Sequence, residues 1–350
     1  MGKFFARLFA LGFLVIIIAG AGIGYVLFHG STDGELKEVL IPRGSSLGLV
    51  SQILTEKGII HQPKLFKYLL SVTQGASRVR AGEFRFQVNS RMIDALNTLY
   101  RQDPVVHSVT LPEGWTVRQY AEILQTAGLV EAPRFLKLTL TPEAAAKYNF
   151  KSPSLEGYLF PDTYAFSKID GEEKIVDTLV KRFRQKFATE YTGEILQKGW
   201  TLERLVTLAS IIEKETGVGG ERGKVSSVFH NRMKKHMRLQ SDPTTIYGIE
   251  NFNGNLTRAD LQRPSPYNTY TIAELPPGAI CNPGLEALVA GLRPLDTPYL
   301  YFVGNNRGEH VFSETYQQHA RYVNDLQKNP AARQLGRAQT KQAKQTKRHK

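Results

Sequence analysis

Glu213 and Glu215 close an apolar run, Leu208-Ala209-Ser210-Ile211-Ile212-Glu213-Lys214-Glu215-Thr216. Two polar segments follow it, Gln240-Ser241-Asp242-Pro243-Thr244 and Tyr267-Asn268-Thr269-Tyr270. A carboxyl group held against an apolar wall stays protonated to higher pH, which is what a general acid needs to protonate a glycosidic oxygen near neutrality. The two glutamates are two positions apart on a helix, so they point about 160° away from each other and only one can face a common cleft. Glu215 lies nearer the helix end, where Gly217, Gly219 and Gly220 stop it and the partial negative charge of the terminus further disfavours ionisation. Read alone, Glu-Lys-Glu favours a solvated surface patch. Gln240, Asp242, Tyr267, Asn268 and Tyr270 are candidates for saccharide contact or for orienting the acid, although Asp-Pro and Pro-Tyr-Asn are turn formers first. Glu221 and Asp242 are possible second acids, since the usual glycosidase uses two carboxylates.

Other chemistries find little support. The eight histidines are scattered without an HExxH pairing and Cys281 is the single cysteine, so no metal site, no disulfide framework and no cofactor is expected. No GxSxG elbow is present either.

The elements that must position these residues follow from periodicity. Leu205, Leu208, Ala209 and Ile212 form one apolar stripe on a helix over about 201–216, with another helix over about 171–191. Leu285–Leu292 reads as a helix and Tyr299–Val303 as a buried strand. Leu155–Tyr164 is an aromatic, Pro-containing stretch that core packing explains better than sugar stacking. An internal repeat lies further upstream. Ile41-Pro42-Arg43-Gly44-Ser45-Ser46-Leu47, continuing through Ile53-Leu54 to Lys57-Gly58-Ile59-Ile60, returns as Leu111-Pro112-Glu113-Gly114-Trp115-Thr116-Val117, continuing through Ile123-Leu124 to Ala127-Gly128-Leu129-Val130. Each copy predicts a strand end, a Pro-x-Gly turn, a Ser or Thr N-cap, and an amphipathic helix stopped by Gly. Arg80–Phe86 alternates like a strand and Met92–Tyr100 reads as a helix.

At the N-terminus, Lys3 and Arg7 precede an uncharged run from Leu8 to Phe28, roughly 31 Å long as a helix and enough to cross a bilayer core of about 30 Å. Asp33, Glu35 and Glu38 follow it, so the positive-inside rule leaves the N-terminus cytoplasmic and exports the rest. A cleaved signal peptide ending near Ala19-Gly20-Ala21 is the rival, but the apolar run continues past it. The net charge of +13 invites a nucleic-acid reading. Seven of those charges, Arg333, Arg337, Lys341, Lys344, Lys347, Arg348 and Lys350, sit in a polar tail without acids, and an exported tail would meet no genome.

Together these give an α+β chain. Residues 1–30 form a cytoplasmic stub and a single transmembrane helix, 31–105 a small α+β module, 106–330 a larger α+β domain, and 331–350 a basic, disordered tail. The motifs Glu156–Thr163, Ala209–Thr216, Glu221-Arg222, Val228–Arg232, Met237–Thr244, Tyr267–Tyr270 and Leu275–Ile280 resemble the endolytic murein transglycosylase family (MltG, or YceG-like). That resemblance implies an inner-membrane anchor, a LysM-like subdomain and a periplasmic catalytic domain. It also implies cleavage of the bond between N-acetylmuramic acid and N-acetylglucosamine in nascent peptidoglycan, leaving a 1,6-anhydromuramoyl end and terminating strand elongation. One glutamate does this work without a metal or cofactor. Better-known lytic transglycosylases carry the catalytic Glu in a Glu-Ser pair after an apolar helix. Glu215-Thr216 is similar to that pair, which favours Glu215 with Glu213 as the alternative. Peptidoglycan synthases are implied partners. The rival functions are a non-catalytic peptidoglycan-binding scaffold and a muramidase-type hydrolase.

Overall fold

The computed structural model describes residues 2–73, 79–217, 219–305 and 309–328. The basic tail read over 331–350 lies outside the described residues. The chain divides into two compact units. One comprises residues 1–108 with 165–171, the other residues 109–164 with 172–350.

The first unit opens with helix α1 (Gly2–Phe28), whose stretch Phe9–Phe28 is long and apolar enough to cross a membrane. Strand β1 (Leu36–Ile41), helices α2 (Leu47–Glu56) and α3 (Pro63–Thr73), strand β2 (Gly82–Gln87) and helix α4 (Met92–Arg101) follow. The two strands pair antiparallel from Leu36 opposite Gln87 to Ile41 opposite Gly82. Val39, Ile41, Phe84 and Phe86 meet Val50, Leu54, Phe66, Leu70 and Leu96 of the helices in one core. Glu83, 4% exposed, takes Lys168 at 2.7 Å and His107 at 2.6 Å, so a charge that could not be buried alone is doubly compensated.

The second unit is mainly helical. It holds most of β3 (His107–Leu111), of β4 (Asp162–Phe166) and of α8 (Gly171–Phe183), together with α5 (Val117–Thr126), α6 (Ala132–Lys137), α7 (Pro142–Lys147), α9 (Thr189–Gln197) and α10 (Leu202–Glu215). Then come α11 (Arg222–Lys234), α12 (Asp242–Tyr247), α13 (Arg258–Gln262), α14 (Leu285–Leu292), the hairpin β5 (Tyr301–Gly304) and β6 (His310–Ser313), and α15 (Tyr316–Val323). The predicted repeat is visible in the backbone. β1 leads into α2 through Gly44 and the N-cap Ser46, and β3 leads into α5 through Gly114 and the N-cap Thr116. Both turn glycines sit at φ 74°, and both stop glycines, Gly58 and Gly128, are again left-handed.

Helix α10 begins at Thr201, whose side chain accepts the Arg204 N–H. Every residue from Leu205 to Ile212 is buried, not just the expected stripe, because α11, α12, α14 and the 279–282 loop surround it. Gly291 of α14 approaches Leu205 and Ala209 so closely that an added Cβ would lie 3.3 Å from Leu205 Cδ1. Ser210 Oγ accepts the Ile280 N–H, tying the loop before α14 to the same helix. The expected helix over 171–191 is broken by a π-helical turn at Arg184–Ala188. Tyr299–Val303 is not a buried strand: β5 starts at Tyr301 and is half-buried, because among the described residues it pairs only with β6. Leu155–Phe160 is core, with Tyr158 stacked on Phe150 at 4.2 Å.

Candidate active site

Glu213 and Glu215 leave α10 in different directions, as the helical period requires, and neither is a solvated surface residue. Glu213, its side chain 7% exposed, accepts the Gly284 N–H at 3.1 Å and pairs with Arg222 at 3.3 Å. Arg222 also meets Glu286 at 2.6 Å and Glu113 at 3.8 Å. Glu213 is thus one of three carboxylates around a single guanidinium. The surface-patch reading fails because Arg222 and the Gly284 N–H take Glu213 while Ser241 takes Glu215, which a local triplet cannot reveal.

Glu215 instead points into a cavity of about 400 Å³. Gln240, Asp242 and Tyr270 line it together with Glu215, so four of the residues singled out in the sequence meet in one place. Phe302 and His310 from the hairpin, His319 from α15 and Arg232 from α11 complete much of the wall. Ser241 Oγ donates to Glu215 Oε1 at 2.5 Å, and Tyr270 Oη donates to Asp242 Oδ1 at 2.7 Å. Burial pushes the Glu215 carboxyl above its ordinary range. The Ser241 hydrogen bond pulls against burial, the Asp242 charge adds to it, and His310 and Arg232 oppose it.

A lattice of hydroxyls sets Ser241 in place. Its N–H donates to Thr269 Oγ1 at 2.9 Å, its carbonyl accepts from Thr244 Oγ1 at 2.6 Å, and the two threonine hydroxyls are 2.8 Å apart. Gln240 adopts the left-handed φ of 52°, uncommon for a non-glycine residue, and its N–H is held by the Thr269 carbonyl. Asn268 lies outside the cavity lining. Its amide donates to the carbonyls of Leu261 and Arg263 while its Oδ1 accepts from Thr245 and the Tyr270 N–H. Tyr267 also sits apart, packed on Tyr247 at 4.9 Å. Both support the loop that carries Tyr270.

Sequence reading missed Ser241, Arg232, His310 and His319. Ser241 had a signal, since a serine before Asp-Pro is a natural helix N-cap. The two histidines had none, because the hairpin and α15 bring them in from a hundred residues away. Of the possible second acids, Asp242 lines the cavity, whereas both Glu221 oxygens are taken by His310, through its backbone N–H and through Nδ1 at 2.8 Å. With Glu215 as the proposed acid, replacing Ser241 with Ala is expected to lower kcat about tenfold by freeing that carboxyl from its fixed rotamer. Removing a donor to the carboxylate also moves the alkaline limb of the kcat–pH profile upward, which steady-state rates across pH would show.

Glu156 is a further buried carboxyl of this unit. Fully buried, it accepts from the Val117 N–H at 2.9 Å, Asn282 Nδ2 at 3.2 Å and Tyr247 Oη at 3.3 Å, so one carboxyl joins α5, α12 and the loop before α14. Burial pushes its pKa up to about 8, against the pull of its donors. A folded value raised above the unfolded one stabilises at low pH, and that stability is lost as pH climbs from about 4.5 through about 8. Glu156→Gln keeps an acceptor for Val117 and Asn282 without the charge. It is expected to flatten this loss, which melting curves at about pH 5 and pH 8 would record. Equal losses in both proteins would place the effect elsewhere.

A YceG-like family model matches residues 39–325. The chain belongs to the YceG-like family. An endolytic murein transglycosylase of Bacillus subtilis (strain 168) is 33% identical over 299 residues, covering 80% of this chain and 81% of the relative. Another, from Streptococcus pneumoniae serotype 2, is 28% identical over 354 residues, covering 89% of this chain and 63% of its own length. Among solved structures, a yceG-like protein of Listeria monocytogenes superposes with a TM-score of 0.57 at 31% identity, covering 83% of this chain and 99% of the other.

Proposed function

We propose that the chain is a membrane-anchored endolytic lytic transglycosylase of peptidoglycan, with Glu215 as its acid and base. The observation that carries this reading is a desolvated carboxyl group, held by one hydroxyl, in a cavity with tyrosine, phenylalanine and amide residues suited to a sugar. Relatives over most of the chain bear that activity in their names. Glu215 gives its proton to the leaving glycosidic oxygen as the bond to muramoyl C1 breaks. The resulting carboxylate takes the proton of the muramoyl C6 hydroxyl, and O6 closes on C1. No water is consumed and the acid is regenerated. Gln240, Asp242 and Tyr270 contact the saccharide or hold its hydroxyls.

Helix α1 serves as the anchor in the cytoplasmic (inner) membrane, with Lys3 and Arg7 on the cytoplasmic side and the catalytic unit outside. The strand–helix–helix–strand order of β1, α2, α3 and β2 supports a LysM-like role for the first unit in holding glycan. This position suits action on nascent strands beside the synthases that extend them, ending their elongation.

One observation favours a second reading. Asp242 shares the cavity with Glu215, which supports a two-carboxylate muramidase. A glycan-binding scaffold is the third. Incubating the full chain with purified sacculi separates enzyme from scaffold: soluble fragments are expected, and tight sacculus binding with no fragments released would establish the scaffold instead.

A further inference from the structure

A second cavity, of about 370 Å³, adjoins the first and shares Tyr270 with it. Its walls are Arg238, Arg258, Leu261, Gln262, Tyr270 and Thr271, with no acidic residue among them. Arg238 precedes Leu239-Gln240, and its Nη1 donates to the Tyr270 carbonyl at 3.1 Å, which fixes the direction of its guanidinium. Arg258 opens α13. The nearest carboxylate in sequence, Asp260, is spent on the helix cap, accepting both the N–H and the hydroxyl of Thr257. Neither arginine has a carboxylate partner among the described residues.

We propose that Arg238 and Arg258 form an anion-binding subsite that takes a carboxylate of the peptide stems carried by the glycan, one step along the strand from the cleavage point. The proposal rests on the transglycosylase reading above. A neutral sugar backbone gives two uncompensated guanidiniums nothing to pair with. Peptidoglycan differs from other N-acetylhexosamine polymers in the carboxylate-bearing peptides on its muramoyl residues. A guanidinium fork fits a carboxylate in two parallel hydrogen bonds. Because Tyr270 holds Asp242 on one side and borders the arginines on the other, an anion seated there registers the strand against Glu215. A diphosphate at a lipid-linked strand end presents similar chemistry.

The test compares the full chain with its Arg238→Gln/Arg258→Gln variant on three uncrosslinked strand preparations: native stems, stems with carboxylates converted to primary amides, and native stems with a terminal lipid diphosphate. The variant is expected to raise KM about tenfold on native stems with kcat changed less than about twofold, and this difference should fall below about twofold on amidated stems. A difference that persists on amidated stems, that is absent on native stems, or that occurs only with the diphosphate overturns the proposal. The same comparison is made by equilibrium binding in a Glu215→Gln background. That arm decides the subsite even if the unsubstituted chain releases no product, an outcome that would defeat only the transglycosylase reading.

Discussion

Glu215→Gln is expected to remove glycan cleavage by about 10³–10⁴-fold or more while leaving the fold intact. The size follows from the double duty of this group. In the proposed reaction it delivers the proton to the leaving oxygen and later collects the proton of the C6 hydroxyl, and an amide does neither. The fold survives because the glutamine carbonyl oxygen can accept the Ser241 hydroxyl as Oε1 does now. Glu213→Gln is expected to behave in the opposite way. Its oxygen keeps the Gly284 N–H but loses its charge attraction to Arg222, so stability falls while the products remain. Release of soluble fragments and unfolding curves for the two variants make the comparison. Cleavage by Glu215→Gln together with an inactive, folded Glu213→Gln would move the role to Glu213.

The second large effect is structural. Arg222→Met removes the guanidinium that faces Glu113, Glu213 and Glu286. Glu286 is exposed and contributes little, but Glu213 is buried and Glu113 is pressed against Gly284, where an added Cβ would lie 2.1 Å from the Glu113 carboxyl carbon. Losing one partner of a buried pair costs about 3–5 kcal/mol. Burial and the Glu213 charge already push the Glu113 pKa up, while Arg222 holds it down. Without Arg222 the carboxyl rises further, and a raised folded value means stability regained at low pH. The variant should therefore lie about 3–5 kcal/mol below the parent in urea unfolding at about pH 7 and recover part of that at about pH 5. A loss under about 1 kcal/mol, independent of pH, would show that the cluster is solvated.

Much of this arrangement was legible in the residues. The repeat predicted two strand–turn–helix units, and Gly44 and Gly114 adopt the same left-handed turn because the Pro-x-Gly spacing demands it. The helical period alone said that Glu213 and Glu215 must separate, and they do. Their environments were not legible, since a Glu-Lys-Glu triplet contains no information on the loops that fold over it. The same limit explains the cavity wall. Gln240, Asp242 and Tyr270 stood out by type, but Arg232, His310 and His319 enter through tertiary packing of α11, the hairpin and α15. Asn268 looked like a sugar contact because amides bind sugars. In the structure its amide is filled by backbone carbonyls and a threonine hydroxyl.

In the proposed reaction one carboxyl group cleaves the glycan with the muramoyl C6 hydroxyl as nucleophile. Mass spectrometry of the fragments released from purified sacculi tests it most directly. Fragments ending in 1,6-anhydromuramoyl residues, lighter by one water than reducing ends, are the predicted result. Fragments with reducing muramoyl ends would contradict it and make Glu215 and Asp242 the pair of a hydrolase.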